Sequence, residues 1–187
     1  MNTHSRRLLM TASAAIAAFT IPAAARAQTP LQPIRVTESQ QKADQYDQEA
    51  AVIEANDWSQ LKKAARLRGM AADLRLADDP KGARSLYWAA RDRYYSGDNS
   101  AARGLMELAG ERAVAIGDVI TAATAFTEAA YISADLKDGS RMRSNAARAK
   151  LLASSPMLSE DQRFELRSRL AEGGAYSNVF AQVPKPE

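Results

Sequence analysis

Between Arg84 and Tyr95 the chain reads RSLYWAARDRYY, four aromatic rings and three guanidiniums in twelve residues. On a helix, Arg84, Trp88, Arg91 and Tyr95 share one side, and Tyr87, Arg91 and Tyr94 share another. Exposed, that surface stacks on a peptide or a sugar, while its arginines pair with carboxylate or phosphate. Packed inward, Tyr87 and Trp88 would instead fill a helix interface, with the arginine stems, Arg93 included, laid over them.

The carboxylates are the second candidates. Glu107 and Glu111 stand four apart on a predicted helix and read as a solvated pair, matched by Arg103 or Arg112. A glycosidase needs two carboxylates facing each other across a cleft, and no pair in the sequence is nominated for that work. Asp135, Asp138, Gly139 and Ser140 do not have the spacing of an EF-hand loop. The chain has no cysteine and one histidine, His4. Thiolate chemistry, disulfides, a lipid-modified cysteine, histidine-activated nucleophiles and ordinary zinc sites are therefore not expected, and neither a metal nor a cofactor is implied.

His4 lies in a segment that reads as an address. Residues 1–27 carry paired arginines, the apolar run LLMTASAAIAAFT and a small-x-small end at Ala25-Arg26-Ala27, the pattern of a signal peptide cleaved between Ala27 and Gln28. Ser5-Arg6-Arg7-Leu8-Leu9 also resembles the twin-arginine export motif; that route and the general secretory one both imply a bacterial envelope. An uncleaved anchor is the alternative, and no later stretch is apolar enough to span a bilayer. The signal holds three of the 25 basic residues and none of the 22 acidic ones, so the chain from Gln28 carries no net charge. The basic character belongs to the signal and is no argument for nucleic acid.

Charge is still patterned within the mature chain. Lys62, Lys63, Arg66 and Arg68 form one basic stretch. Lys137 to Lys150 has five basic residues against one acid, and Gly104 to Leu136 has one basic residue against five acids. Such opposition either steers an acidic partner or pairs neighbouring helices, and plain solvation explains the first stretch.

The elements that hold these residues are all predicted helices. Residues 28–36, with two prolines, form an extended lead-in. TESQ at Thr37–Gln40 is a capping box, and Ala43, Tyr46, Ala50 and Ile53 follow at helical spacing. Asn56-Asp57 opens a second helix, Asp79-Pro80 a third, and Asp98 and Asp118 a fourth and fifth, each of the last two after a glycine suited to end the helix before it. Asp138-Gly139-Ser140 punctuates before a sixth, and SEDQ at Ser159–Gln162 opens a seventh. The helical domain spans 37–172. Residues 173–187 form a tail whose Tyr176, Val179 and Phe180 are suited to docking, on this chain or another.

Three helix starts share one skeleton, DDPKGARSLYWAA, GDNSAARGLMELA and GDVITAATAFTEAA. Ala83, Ala102 and Ala122 occupy its first small position, Tyr87, Met106 and Phe126 the bulky one, and Ala90, Ala109 and Ala129 the second small one. They lie on one helical face, small, large, small, which lets neighbouring helices approach closely. With short connections this reads as stacked antiparallel αα-hairpins, about seven helices in an all-α fold; a compact helical bundle is the alternative.

At these residues the chain resembles the tetratricopeptide repeat. Gly117-Asp118, Ala122, Phe126 and Ala129 match that repeat's second helix and Gly110 the small residue of its first. The resemblance implies a groove lined by Glu107 and Glu111, ready for a basic peptide or a cation, and a non-catalytic protein that binds a protein or peptide partner in the periplasm or outside the cell. A small carboxylate enzyme acting on cell-wall glycan, and a membrane-surface protein held by an uncleaved signal, are the alternatives.

Overall fold

The computed structural model describes residues 37–171. The signal, the Ala27-Gln28 cleavage site, the lead-in and the tail with Tyr176, Val179 and Phe180 lie outside the described residues. Among the described residues the fold is all-α, without strands. In order come α1 (Glu38–Asn56), a 3-10 turn (Trp58–Gln60), α2 (Leu61–Leu74), α3 (Pro80–Tyr95), α4 (Asn99–Ala115), α5 (Val119–Asp135), α6 (Gly139–Ala153) and α7 (Glu160–Ala171). From α1 to α6, each helix packs against the next; α7 rests on α5 and α6.

The starts are those the cap residues announce. Thr37 and Gln40 form a capping box at α1, and Ser159 and Gln162 exchange the same two bonds ahead of α7. Asp57 caps the 3-10 turn instead of α2 itself, so α2 begins three residues later than the cap suggests. Pro80 sits in the first turn of α3 behind the cap Asp79.

The links α3–α4, α4–α5 and α5–α6 are the same joint built three times. Asp98, Asp118 and Asp138 each end one helix and cap the next. Their N–H groups donate back to Arg93, Ala113 and Ser133 carbonyls, each at 2.9 Å. Their side chains accept from the N–H of Ala101, Thr121 and Arg141. The residue before each aspartate is left-handed: Gly97 at φ 83°, Gly117 at 76° and Lys137 at 56°. This bond pattern is a Schellman end, which favours glycine at that position. The third joint thus places Lys137, not Gly139, in the strained conformation, and Gly139 is already helical.

The shared skeleton is the core. All six alanines of its small positions are fully buried, as is Met106, and Phe126 is 1% exposed. Tyr87 departs from them: it is half-buried, and its hydroxyl reaches Glu128 on α5. Small residues let the helix axes approach, and the bulky residue fills the space between backbones. Gly110 shows how tight the fit is, since a Cβ there would come within 2.8 Å of the Phe126 ring.

Polar ties join every second helix and set a repeat of two helices. Ser85 on α3 donates to Asp47 on α1 at 2.8 Å. Tyr87 and Tyr94, seven residues apart on α3, donate to Glu128 and Asp135, seven apart on α5. Two ties of equal separation require α3 and α5 to run parallel and in register. On the other side, Arg141 and Asn145 of α6 donate to Glu107 of α4, and Arg148 to Glu111. Helices α1, α3 and α5 therefore form one row, and α2, α4 and α6 a second.

Candidate functional site

The stretch that opened the sequence reading divides across three sides of α3. Tyr87 and Tyr94 turn toward α5, as described. Ser85 and Asp92 turn toward α1 and α2. Arg84, Trp88, Arg91 and Tyr95 fall within about 60° of arc at 100° per residue, on the side away from the buried alanines. Trp88 is 40% exposed and Tyr95 50%.

Trp58, from the 3-10 turn, joins this side and is 65% exposed, its ring 5.7 Å from that of Tyr95 and tilted by 45°. The Arg91 guanidinium lies over Trp88 at 4.9 Å and over Tyr95 at 5.6 Å, and it donates to the Tyr95 hydroxyl at 3.0 Å. Arg68 of α2 lies over Trp88 at 5.5 Å. Tyr87 and Tyr94 thus tie helices, while Trp88 and Tyr95 face outward. Trp58 carries no local signal of this role, because it stands alone among polar residues some thirty positions upstream.

Beneath the stripe lies a network of buried charge. Arg68 is 7% exposed and contacts Glu54 at 2.5 Å, Asp92 at 3.5 Å and Asp47 at 3.9 Å. Arg75, 6% exposed, reaches Asp44 and Asp47, each at 2.7 Å, and Asp79 at 3.4 Å. The Arg75 hydrogen bond holds the Asp44 carboxyl below its usual range. Asp92 goes the other way. Burial, reinforced by the nearby Glu54 carboxylate and only partly opposed by Arg68, pushes it up to about 7. Its Oδ2 is buried without a hydrogen-bond partner among the described residues. Plain solvation of the first basic stretch thus fails at Arg68, whose guanidinium is an internal tie; Lys63 keeps to the surface, paired with Glu49.

Glu107 and Glu111 lie on α4 toward α6. Their partners are Arg141, Asn145 and Arg148. Arg103 and Arg112, the partners suggested by proximity in sequence, are used elsewhere. Arg103 pairs with Asp138 at 2.9 Å. Arg112 crosses over Gly82 to donate to the carbonyls of Ala72, Arg75 and Leu76 at the end of α2. The opposed charge of the two chain segments is thereby spent in part on helix pairing. Glu111 and Arg148 also rim a cavity of about 270 Å³ lined by Val114, Phe126, Leu151 and Leu152.

Fold and surface together define a class: an all-α helical array with an exposed stripe of arginine and aromatic side chains. No protein-family model, curated protein or solved structure matches this chain. No group of histidine, cysteine or acidic residues suited to a metal ion occurs among the described residues. No helix among them is long and apolar enough to cross a membrane.

Proposed function

We propose that this is a non-catalytic binding protein of the bacterial cell envelope, which holds a protein or peptide partner against a tetratricopeptide-like array of helices. The observation that carries the reading is the outward-facing surface of Trp58, Trp88, Arg91 and Tyr95 on a scaffold fixed by packing and polar ties. Large exposed rings beside a guanidinium are the residue types that anchor protein interfaces. Repetition of the joints, the small-large-small core face and the two parallel rows support the tetratricopeptide-like packing. The step from such packing to partner binding is an analogy between folds. Export rests on the signal-like residues 1–27.

The test is co-purification from cross-linked envelope, comparing the parent with a Trp88→Ala plus Tyr95→Ala variant whose helicity is checked by circular dichroism. A specific partner recovered by the parent and lost from the folded variant supports the reading and its surface. Recovery of no protein by the parent overturns it.

A second reading, a carboxylate-dependent envelope enzyme, draws on Glu54 and Asp92, two acids beside one guanidinium with Asp92 pushed up to about 7. Raised carboxyls mark active sites when substrate can reach them. The Asp92 side chain is 5% exposed, and neither carboxylate lines the cavity beside Phe126. The arrangement fits a structural ion network better. Detection of glycan hydrolysis abolished by Asp92→Asn would reverse that preference.

A further inference from the structure

We propose that the α3 stripe receives an extended acidic segment of the partner protein, with two carboxylates three residues apart seated on Arg84 and Arg91 and an apolar side chain between them against Trp88. The inference rests on the binding reading and gives that reading its partner chemistry.

Charge comes first. Most buried or half-buried arginines already have carboxylate or carbonyl partners, as at Arg68, Arg75, Arg103 and Arg112. Arg91 differs: among the described residues no carboxylate comes within ion-pair distance of it, Glu128 and Asp92 act on it only from further off, and its hydrogen bond goes to a neutral phenol, Tyr95. Arg84 is 66% exposed, and its nearest carboxylate, Asp118, stands off at 4.0 Å. The rings beside Arg91 displace water from part of its guanidinium, which strengthens its pairing with an incoming carboxylate. Both guanidiniums thus keep donors that no carboxylate of the described residues meets at close range, and an anion is their complement.

Spacing comes second. Arg84 and Arg91 are seven residues apart, about 10.5 Å along the helix axis at ~1.5 Å per residue. An extended segment in the polyproline conformation returns to the same face every third residue, about 9.3 Å on. Two acids at that interval reach both guanidiniums while the backbone passes over Trp88, and Trp58 and Tyr95 lie ready for the residue that follows.

Ring geometry favours peptide over sugar. Sugar stacking needs an open, flat aromatic face. Trp88 carries Arg68 and Arg91 over its ring, Arg91 also covers Tyr95, and Trp58 is tilted 45° from Tyr95. The rings therefore offer edges and side walls, which suit apolar side chains.

The experiment presents the full-length protein to an array of short random peptides, then measures affinities of the selected sequences by fluorescence anisotropy. Expected are sequences with Asp or Glu at positions i and i+3 around an apolar residue. Their affinity falls about tenfold or more in Arg91→Gln, the loss of one charge-assisted contact, and it falls with added salt. Arg84→Glu, at an exposed position and with helicity checked by circular dichroism, should shift selection toward a basic residue at one of the two positions. Selection of peptides without acid pairs, or acidic peptides indifferent to Arg91→Gln and Arg84→Glu, overturns this inference and leaves the binding reading standing. Tighter Arg91-dependent binding of an acidic oligosaccharide than of any peptide overturns it in favour of glycan. Failure to retain any peptide overturns it as well, and the co-purification then decides separately whether the binding reading falls with it.

Discussion

Single residues decide the joints between helices. At Gly97 and Gly117 the left-handed backbone costs nothing extra, because glycine has no Cβ to meet the following carbonyl. Lys137 adopts the same conformation with a side chain attached, at φ 56°. Lys137→Gly should therefore stabilise the protein by about 0.5–1 kcal/mol, and Gly117→Ala should destabilise it by about 1 kcal/mol. Urea unfolding of both variants measures the two signs together; destabilisation by Lys137→Gly would mean that the lysine side chain contributes more than its strain costs. Gly110 is a glycine for another reason. A methyl group there meets the face of the buried Phe126, so Gly110→Ala should cost about 1–3 kcal/mol from overpacking, visible in the same urea series. Much at this scale was legible: the caps Thr37, Asp79, Asp98, Asp118 and Ser159 announce helix starts because their side chains bond to amides a few residues away. Contacts of long reach were not. Nothing local tells Arg112 to cross to the carbonyls of α2, or Glu107 to pair with α6, since both depend on which helix packs beside α4.

At the scale of elements, the junction of α1, α2 and α3 is held by charge where the rest is held by small apolar residues. Helix α1 buries only Ala43, Ala50 and Ile53, and its Asp44, Asp47 and Glu54 supply acids to Arg68 of α2 and to Arg75 just past its end. The basic stretch containing Arg68 looked like a solvated face because one sequence window does not show that acids from another helix close over it. Asp92 makes this junction sensitive to pH. Facing it are Glu54 and Arg68, with Arg91 on its own helix. Its folded-state pKa is raised from the ordinary 3.8 to about 7. Between these values the folded chain keeps a proton that the unfolded chain has lost, so stability falls as pH rises from about 4 to about 7 and levels off above. At ~1.4 kcal/mol per unit the change is at most about 4 kcal/mol. Asp92→Asn keeps the site neutral and should flatten the stability profile between pH 5 and 8 as followed by thermal unfolding, with the variant gaining on the parent at the alkaline end. Asp44 opposes this trend only at the acid end, where its depressed pKa makes stability fall as the carboxyl is protonated. A parent profile that stays flat between pH 5 and 8 would show that Arg68 outweighs burial.

At the scale of the whole molecule, an array in which the helices α1 to α6 touch their first and second neighbours is expected to have a stability close to a sum of neighbour terms. The three repeated helix starts and the periodic alanine face made the packing of consecutive helices readable in advance, since repeated local patterns repeat the same packing. Helical spacing also grouped Arg84, Trp88, Arg91 and Tyr95 on one side, but it could not supply Trp58, which enters from a turn. The array also implies unequal stability along its length. Helix α7 is attached through few residues, Leu166 among them, and leaves Phe164 74% exposed. Phe126, by contrast, sits in the interior with α4, α5 and α6 around it. Phe126→Ala should therefore cost about 3–5 kcal/mol, speeding amide exchange across α4, α5 and α6 together. Leu166→Ala removes a buried side chain at the end of the array, and should speed exchange in α7 and its contacts on α5 and α6 while leaving α1 to α3 protected. Hydrogen-exchange mass spectrometry distinguishes the two patterns. Equal loss of protection in every helix from Leu166→Ala would mean that the helices unfold as one cooperative bundle and that nearest-neighbour coupling does not govern this chain.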